Sequence, residues 1–234
     1  MTNNLERGAG VLLHISSLPS PYGIGTMGKA AYEFVDNLKA AGQKYWQVLP
    51  VGQTGFGDSP YQSFSAFAGN PFFVDIENLI NDGLIERKAA DGILWGRYAE
   101  YVEYDKVYEG RQKLLGIAYD NWKNRREPEY EEFVRKNSYW LDDYALYMSC
   151  REHFNNKSWL HWDEDIKNKK PEAVIKYSEL LKDKTDYWKF IQFRFYREWD
   201  KLKKYANNEG IKIIGDIPIY VSLDSSDVWS NPEL

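Results

Sequence analysis

The sequence predicts an α/β protein: short parallel strands separated by helices, with a long and mainly helical insert between the second strand and the third. Three observations carry this. An apolar run of strand length, a segment of helical period and a second apolar run fill the first fifty residues. Helix and strand return beyond residue 186. The distance between these two regions is far too great for a loop.

Val11-Leu12-Leu13-His14-Ile15 opens the pattern and is almost wholly apolar, as a parallel strand buried on both faces would be. It stops at Ser16-Ser17-Leu18-Pro19-Ser20-Pro21, where proline cannot continue a ladder. From Ala30 to Ala41, Phe34, Val35, Leu38 and Ala41 share one helical face, and Gly42 stands where a helix would end. Tyr45-Trp46-Gln47-Val48-Leu49-Pro50 is the second strand and completes a βαβ unit.

Leu49 and Asp216 are 167 residues apart, whereas ordinary connections take ~2–6. The chain from about Ala89 to Lys184 reads as a helical insert, with segments Tyr104–Tyr119 and Tyr130–Phe154. Breaks fall at Glu127-Pro128 and in the polar stretch Asp163–Pro171. Tyr187–Asn208 is an amphipathic helix with Trp188, Ile191, Phe195, Trp199, Leu202 and Ala206 on one stripe. Gly210 ends it, and Ile211–Ile219 is the third strand, with Asp216 near its carboxyl end. A barrel of eight βα units takes ~30 residues per unit, so three strands in 234 residues describe a small open sheet or the front of something larger. The second is expected.

Composition narrows the function. Lys and Arg number 30 against 35 Asp and Glu, a balance of −5 that disfavours nucleic acid or an anionic membrane as partner. The single Cys150 excludes an intramolecular disulfide framework and fits a reducing compartment. With neither an apolar leader nor an apolar run near 18 residues, a cytoplasmic protein is expected. Nine Trp, 18 Tyr and 11 Phe make the chain rich in flat rings.

Gly23-Ile24-Gly25-Thr26-Met27-Gly28 matches the dinucleotide pattern, but two prolines separate it from the strand and no acidic residue ends the second strand. These glycines are read as shaping a loop, and no cofactor is expected. The three histidines have no metal-ligand spacing, so no metal is expected either. The segment from Gly55 to Pro71 follows the second strand, where parallel α/β architectures build their sites. It offers Asp58, Ser59, Tyr61, Gln62 and several rings, and Pro60 holds Ser59 extended. Rings facing sugar C–H groups, with polar atoms to fix hydroxyls, suit a neutral polyhydroxylated ligand. A loop whose aromatics pack inward has the same composition. Asp216 reads as a site residue at a strand end, because an unpaired carboxylate in an apolar strand is costly. His14 near the end of the first strand reads equally as structural donor or ligand group.

Three stretches resemble one family closely: Arg7-Gly8-Ala9-Gly10-Val11-Leu12-Leu13-His14-Ile15-Ser16-Ser17-Leu18-Pro19-Ser20, the loop Gly57–Pro71, and Gly215-Asp216-Ile217-Pro218-Ile219-Tyr220-Val221 through Asp224-Ser225-Ser226-Asp227-Val228-Trp229. With Phe190-Ile191-Gln192-Phe193-Arg194-Phe195-Tyr196 they stand in the order of the 4-α-glucanotransferases, also called amylomaltases or disproportionating enzymes. The resemblance implies the (β/α)8 TIM-barrel family, here the first three barrel strands plus an inserted mainly helical subdomain. Residues 1–88 would be the first part of the barrel with the substrate loop, 89–185 the insert, and 186–234 the barrel helix, strand three and following loop.

It further implies transfer of α-1,4-glucan segments between maltooligosaccharides by a retaining double displacement, with a carboxylate nucleophile and a carboxylic acid ~5–5.5 Å apart. Carried over, Ser59 and Tyr61 line the subsites around the scissile bond, with Asp58 and Gln62 beside them. Asp216 is a supporting strand-three carboxylate and His14 lies at the barrel mouth. Phe56 and Tyr104 correspond to aromatics of a secondary glucan site. The nucleophile, the acid and a stabilising Asp belong to strands four, five and seven, so none is expected in this chain. The chain alone is expected to be inactive, with exposed barrel edges prone to self-association. The alternative is a non-catalytic, aromatic-rich α-glucan-binding module.

Overall fold

The computed structural model describes residues 6–98, 100–125 and 127–233, apart from the Phe56 side chain. Strand β1 (Gly10–Leu12) leads through the 3-10 turn Ile15–Ser17 and a further loop to helix α1 (Lys29–Ala40) and strand β2 (Tyr45–Gln47). The long loop after β2 reaches α2 (Ile76–Asn81) and α3 (Arg87–Asp91). Five helices follow: α4 (Tyr104–Trp122), α5 (Pro128–His153), α6 (Glu164–Lys167), α7 (Pro171–Leu180) and α8 (Lys182–Asn208). Strand β3 (Lys212–Ile214) and helix α9 (Ser226–Ser230) complete the described chain.

The strands form one parallel sheet in the order β1-β2-β3, with Val11 opposite Trp46 and Trp46 opposite Ile213. The expected βαβ unit is present, and its helix ends as its glycine requires: Gly42 adopts φ +68°, a conformation open to a residue without Cβ. Gly210 does the same after α8 with φ +83°. Pro128, expected as a break, is the first residue of α5, where a missing N–H costs nothing.

Three expectations need correction. The first strand was expected to be buried on both faces, yet Val11 is 38% and Leu12 56% exposed, because β2 is the sole strand paired with it among the described residues. The third strand ends at Ile214 instead of Ile219. Pro218 carries no N–H, and Ile217 and Ile219 are 84% and 98% exposed, so no neighbour holds that segment extended. Asp216 consequently lies two residues beyond the strand and half-buried, not inside an apolar strand.

The pattern Gly23–Gly28 is structural. A Cβ on Gly25 would overlap the Ile15 carbonyl oxygen, and one on Gly28 would overlap the Asp75 carboxylate. That carboxylate accepts from Thr26 Oγ1 at 2.5 Å and from the Asn78 N–H at 2.9 Å, capping α2.

Most of the core lies between the helices. Trp122 packs on Tyr130 and Phe190 with ring centroids 4.7 Å apart in each case, and Trp140, Tyr144 and Trp188 continue the aromatic layer between α5 and α8. Trp229 of α9 is 1% exposed, sits against Trp162 and Tyr147, and donates from Nε1 to the Ile166 carbonyl at 3.1 Å.

Candidate functional site

The chain leaving β2 turns out and comes back on itself. Gly52 and Gly69 form an antiparallel bridge, and the Asn70 N–H donates to the Val51 carbonyl at 2.9 Å, so both ends of the loop are pinned. At its tip Gly57 (φ +68°) and Asp58 (φ +56°) make a left-handed turn. Ser59 is extended before Pro60, as expected, and its Oγ and carbonyl accept from the N–H groups of Tyr61 and Gln62, each at 3.3 Å. This turn projects Tyr61 toward the end of β3. Its hydroxyl donates to Asp216 Oδ2 at 2.8 Å, joining residues 155 positions apart. Hydrogen bonding to this carboxylate, followed by desolvation and its charge, raises the Tyr61 phenol above its ordinary range.

Behind this pair lies a cavity of about 180 Å³ with Phe67, Phe195, Tyr196, Trp199 and Ile217 in its wall. The remaining serines of the loop spend their hydroxyls on the backbone: Ser63 Oγ donates to the Ser65 carbonyl, and Ser65 Oγ accepts from Phe67 and Ala68. Two outside segments grip the loop. Ser226 donates from N–H and Oγ to the Phe64 carbonyl at 2.8 and 3.0 Å, and Asp227 accepts the Ala66 N–H at 2.8 Å. On the opposite side the Gln192 carboxamide holds both backbone groups of Gly69.

A second, larger cavity of about 500 Å³ opens on the other side of the loop, against α4, α5 and α8. Asp58, Gln53, Tyr104, Tyr108, Arg151 and Trp188 are among the residues lining it. Burial, with the Asp58 charge second, raises the Tyr104 phenol. Arg151 is fixed by Asp224 at 2.5 Å and lies over the Phe64 ring at 4.4 Å. Asp224 also accepts from Tyr147 Oη at 2.8 Å, which ties the segment after β3 to α5.

The structure thus distributes the sequence-selected residues over several places. Tyr61 and Asp216 meet at the smaller cavity. Asp58 and Tyr104 face the larger one. The Phe56 side chain lies outside the described residues; its backbone is in the same turn as Asp58. Gln62 is exposed and lines neither cavity, and the Ser59 hydroxyl accepts from Tyr61 N–H within the loop.

His14 lines neither cavity. Its ring packs edge-on against Phe73 at 5.3 Å, and burial lowers its pKa to about 4, so the imidazole is neutral. Trp188 and Phe195, expected on the apolar stripe of the amphipathic helix, are buried and also line cavities. Gln192, Asp224 and Asp227 escaped the residue-by-residue reading. The available signal for Gln192 was a lone uncharged polar residue among Phe190, Ile191, Phe193 and Phe195.

Comparison with known proteins gives the family. Residues 13–234 match the family model described as 4-alpha-glucanotransferase, and the chain belongs to that family. Curated relatives of that name include proteins of Clostridium butyricum (50% identical over 95% of this chain) and Thermus thermophilus (41% over 98%). In each case the chain spans 46% of the relative's length. An amylomaltase from Streptococcus agalactiae, solved in complex with acarbose, superposes with a TM-score of 0.95 at 43% identity. That match covers 98% of this chain and 47% of the amylomaltase. An amylomaltase from Corynebacterium glutamicum shares the fold at 16% identity and a TM-score of 0.72.

Proposed function

We propose that this chain supplies part of the glucan-binding wall of a 4-alpha-glucanotransferase that transfers α-1,4-glucan segments between maltooligosaccharides by a retaining double displacement. The carrying observation is the Tyr61–Asp216 hydrogen bond, which joins the loops after β2 and β3 into one polar and aromatic rim. Loops at the carboxyl ends of parallel strands are where such architectures place their ligands. The acarbose-bound amylomaltase supports an oligosaccharide as the occupant.

In this reading Tyr61 and Asp216 hydrogen-bond sugar hydroxyls, Ser59 presents its O–H beside them, and Gln62 and His14 act farther from the rim. Asp58 and Tyr104 serve a secondary glucan site at the larger cavity, and Phe56 is assigned to that secondary site by the family resemblance alone. The three catalytic carboxylates lie on later strands of a (β/α)8 barrel, so the chain by itself does not turn over, and its open sheet edges draw it into self-association. The protein acts in the cytoplasm without cofactor or metal.

Incubation with maltotriose, with products resolved by chain length and intact mass verified, tests the reading. No ladder is expected from the chain alone, and transfer is expected once the remaining half of the family's length is added. A ladder from the chain alone would contradict the assignment and make Asp216 and Asp58 nucleophile candidates. A non-catalytic α-glucan-binding module predicts saturable binding with no transfer even after that addition.

A further inference from the structure

We infer that Gln192 is a positioning residue: its carboxamide stands in for a neighbouring strand and fixes the loop that carries Tyr61. The purpose of this clamp rests on the glucan reading above; its existence does not. Gln192 is wholly buried on α8. It accepts the Gly69 N–H at 2.8 Å through Oε1 and donates from Nε2 to the Gly69 carbonyl at 3.0 Å. Gly69 is where the loop closes on Gly52 in an isolated bridge outside the sheet, and both of its backbone groups are satisfied by one side chain of a helix 123 residues away.

The chemistry admits few substitutes. A carboxamide offers a donor and an acceptor side by side without charge, whereas an ionised Glu accepts only and would be a buried anion. Gly69 must be glycine for a related reason: a Cβ there would overlap the Phe195 ring, one turn along α8. The next residue extends the grip, Tyr196 donating from its hydroxyl to the Phe67 carbonyl at 2.5 Å. One face of α8 therefore holds positions 67 and 69 through their backbone groups, while the α9 segment holds 64 and 66. Gripped from both sides, the loop is a preformed wall instead of a lid that closes on the sugar. Such preorganisation lowers the ordering cost of binding.

Gln192→Met and Gln192→Leu place an apolar side chain of similar size at this position and remove both bonds. Leu202→Ala, fully buried on the same helix, is the stability control. Amide hydrogen exchange on the 234-residue chain is followed by titration with maltoheptaose. In both Gln192 variants the amides of residues 61–69 are expected to exchange about tenfold faster or more, while those of residues 140–150 in α5 stay unchanged. Affinity for maltoheptaose is expected to fall about tenfold in the same two variants and to hold in Leu202→Ala. Unchanged loop exchange in a Gln192 variant, or equal loosening in Leu202→Ala, would overturn the positioning role and leave only a structural one. The exchange result decides the clamp whether or not maltoheptaose binds; absence of binding by the unaltered chain counts against the glucan reading alone.

Discussion

Around α5 and α8, Tyr144, Tyr147, Phe190 and Phe195 are each at most 1% exposed, whereas Leu12 of β1 and Ile217, Ile219 and Tyr220 in the segment after β3 are each more than half exposed. One continuous core therefore has a finished part, between the helices, and an unfinished part, at the sheet. The helical region closes on itself, because a helix satisfies its own backbone and needs only one apolar stripe covered. A parallel strand needs partners on both edges and cover on both faces. Between the two regions lies the loop after β2, gripped by α8 and by the α9 segment, so the helices supply the rigidity of a site that the sheet locates.

The largest expected effect comes from breaking the finished part of the core where it meets the carboxyl-terminal segment. Trp229→Ala removes a buried indole and its bond to Ile166, and about 3–5 kcal/mol of stability is expected to be lost in chemical denaturation. A loss under about 1 kcal/mol would mean that α9 is not part of the helical core.

A second prediction concerns Glu198, buried on α8 with Oε2 accepting the Asp75 N–H at 2.8 Å and Oε1 unpaired. Burial pushes its pKa up to about 8. Between its ordinary 4.5 and that value the folded chain holds a proton the unfolded chain has released, so stability falls as pH rises through this window. His14 works in the opposite sense between about 4 and 6.5, so above 6.5 Glu198 is the one of the two still titrating. About 2 kcal/mol is expected to be lost between pH 6.5 and 8 through this group, and Glu198→Gln should abolish that slope. A slope unaltered by the substitution would assign the titration elsewhere.

The smallest effect on stability, and the sharpest on the comparison, is expected at the open side. Ile219→Asp is expected to change the free energy of unfolding by no more than about 0.5 kcal/mol while lowering the sedimentation-derived association of the chain. Unchanged association in Ile219→Asp and in Leu12→Asp would show that the exposed strand region does not drive self-contact.

How much of this was legible in the sequence follows from the range of the forces involved. Helices α1 and α8 were readable because their period and their terminating Gly42 and Gly210 are local signals. Strand positions were readable but strand lengths were not, since an apolar run does not reveal which residues find a partner; Ile217 and Ile219 look like strand and have none among the described residues. Asp216 and Tyr61 could be selected because each follows a strand. That Asp58 faces the other cavity could not be, because a loop's composition does not say which side each residue takes. Gln192, Asp224 and Asp227 act on backbone groups or side chains dozens of residues away, and only the fold brings these together.

The central claim is that the Tyr61–Asp216 rim holds an oligosaccharide. Calorimetric titration of the chain with maltoheptaose, comparing it with Asp216→Asn and Tyr61→Phe, tests this most directly. Saturable binding by the unaltered chain, weakened about tenfold in both variants while their melting temperatures hold, is the predicted result. Equal affinity in all three proteins, or no binding in any, would contradict it.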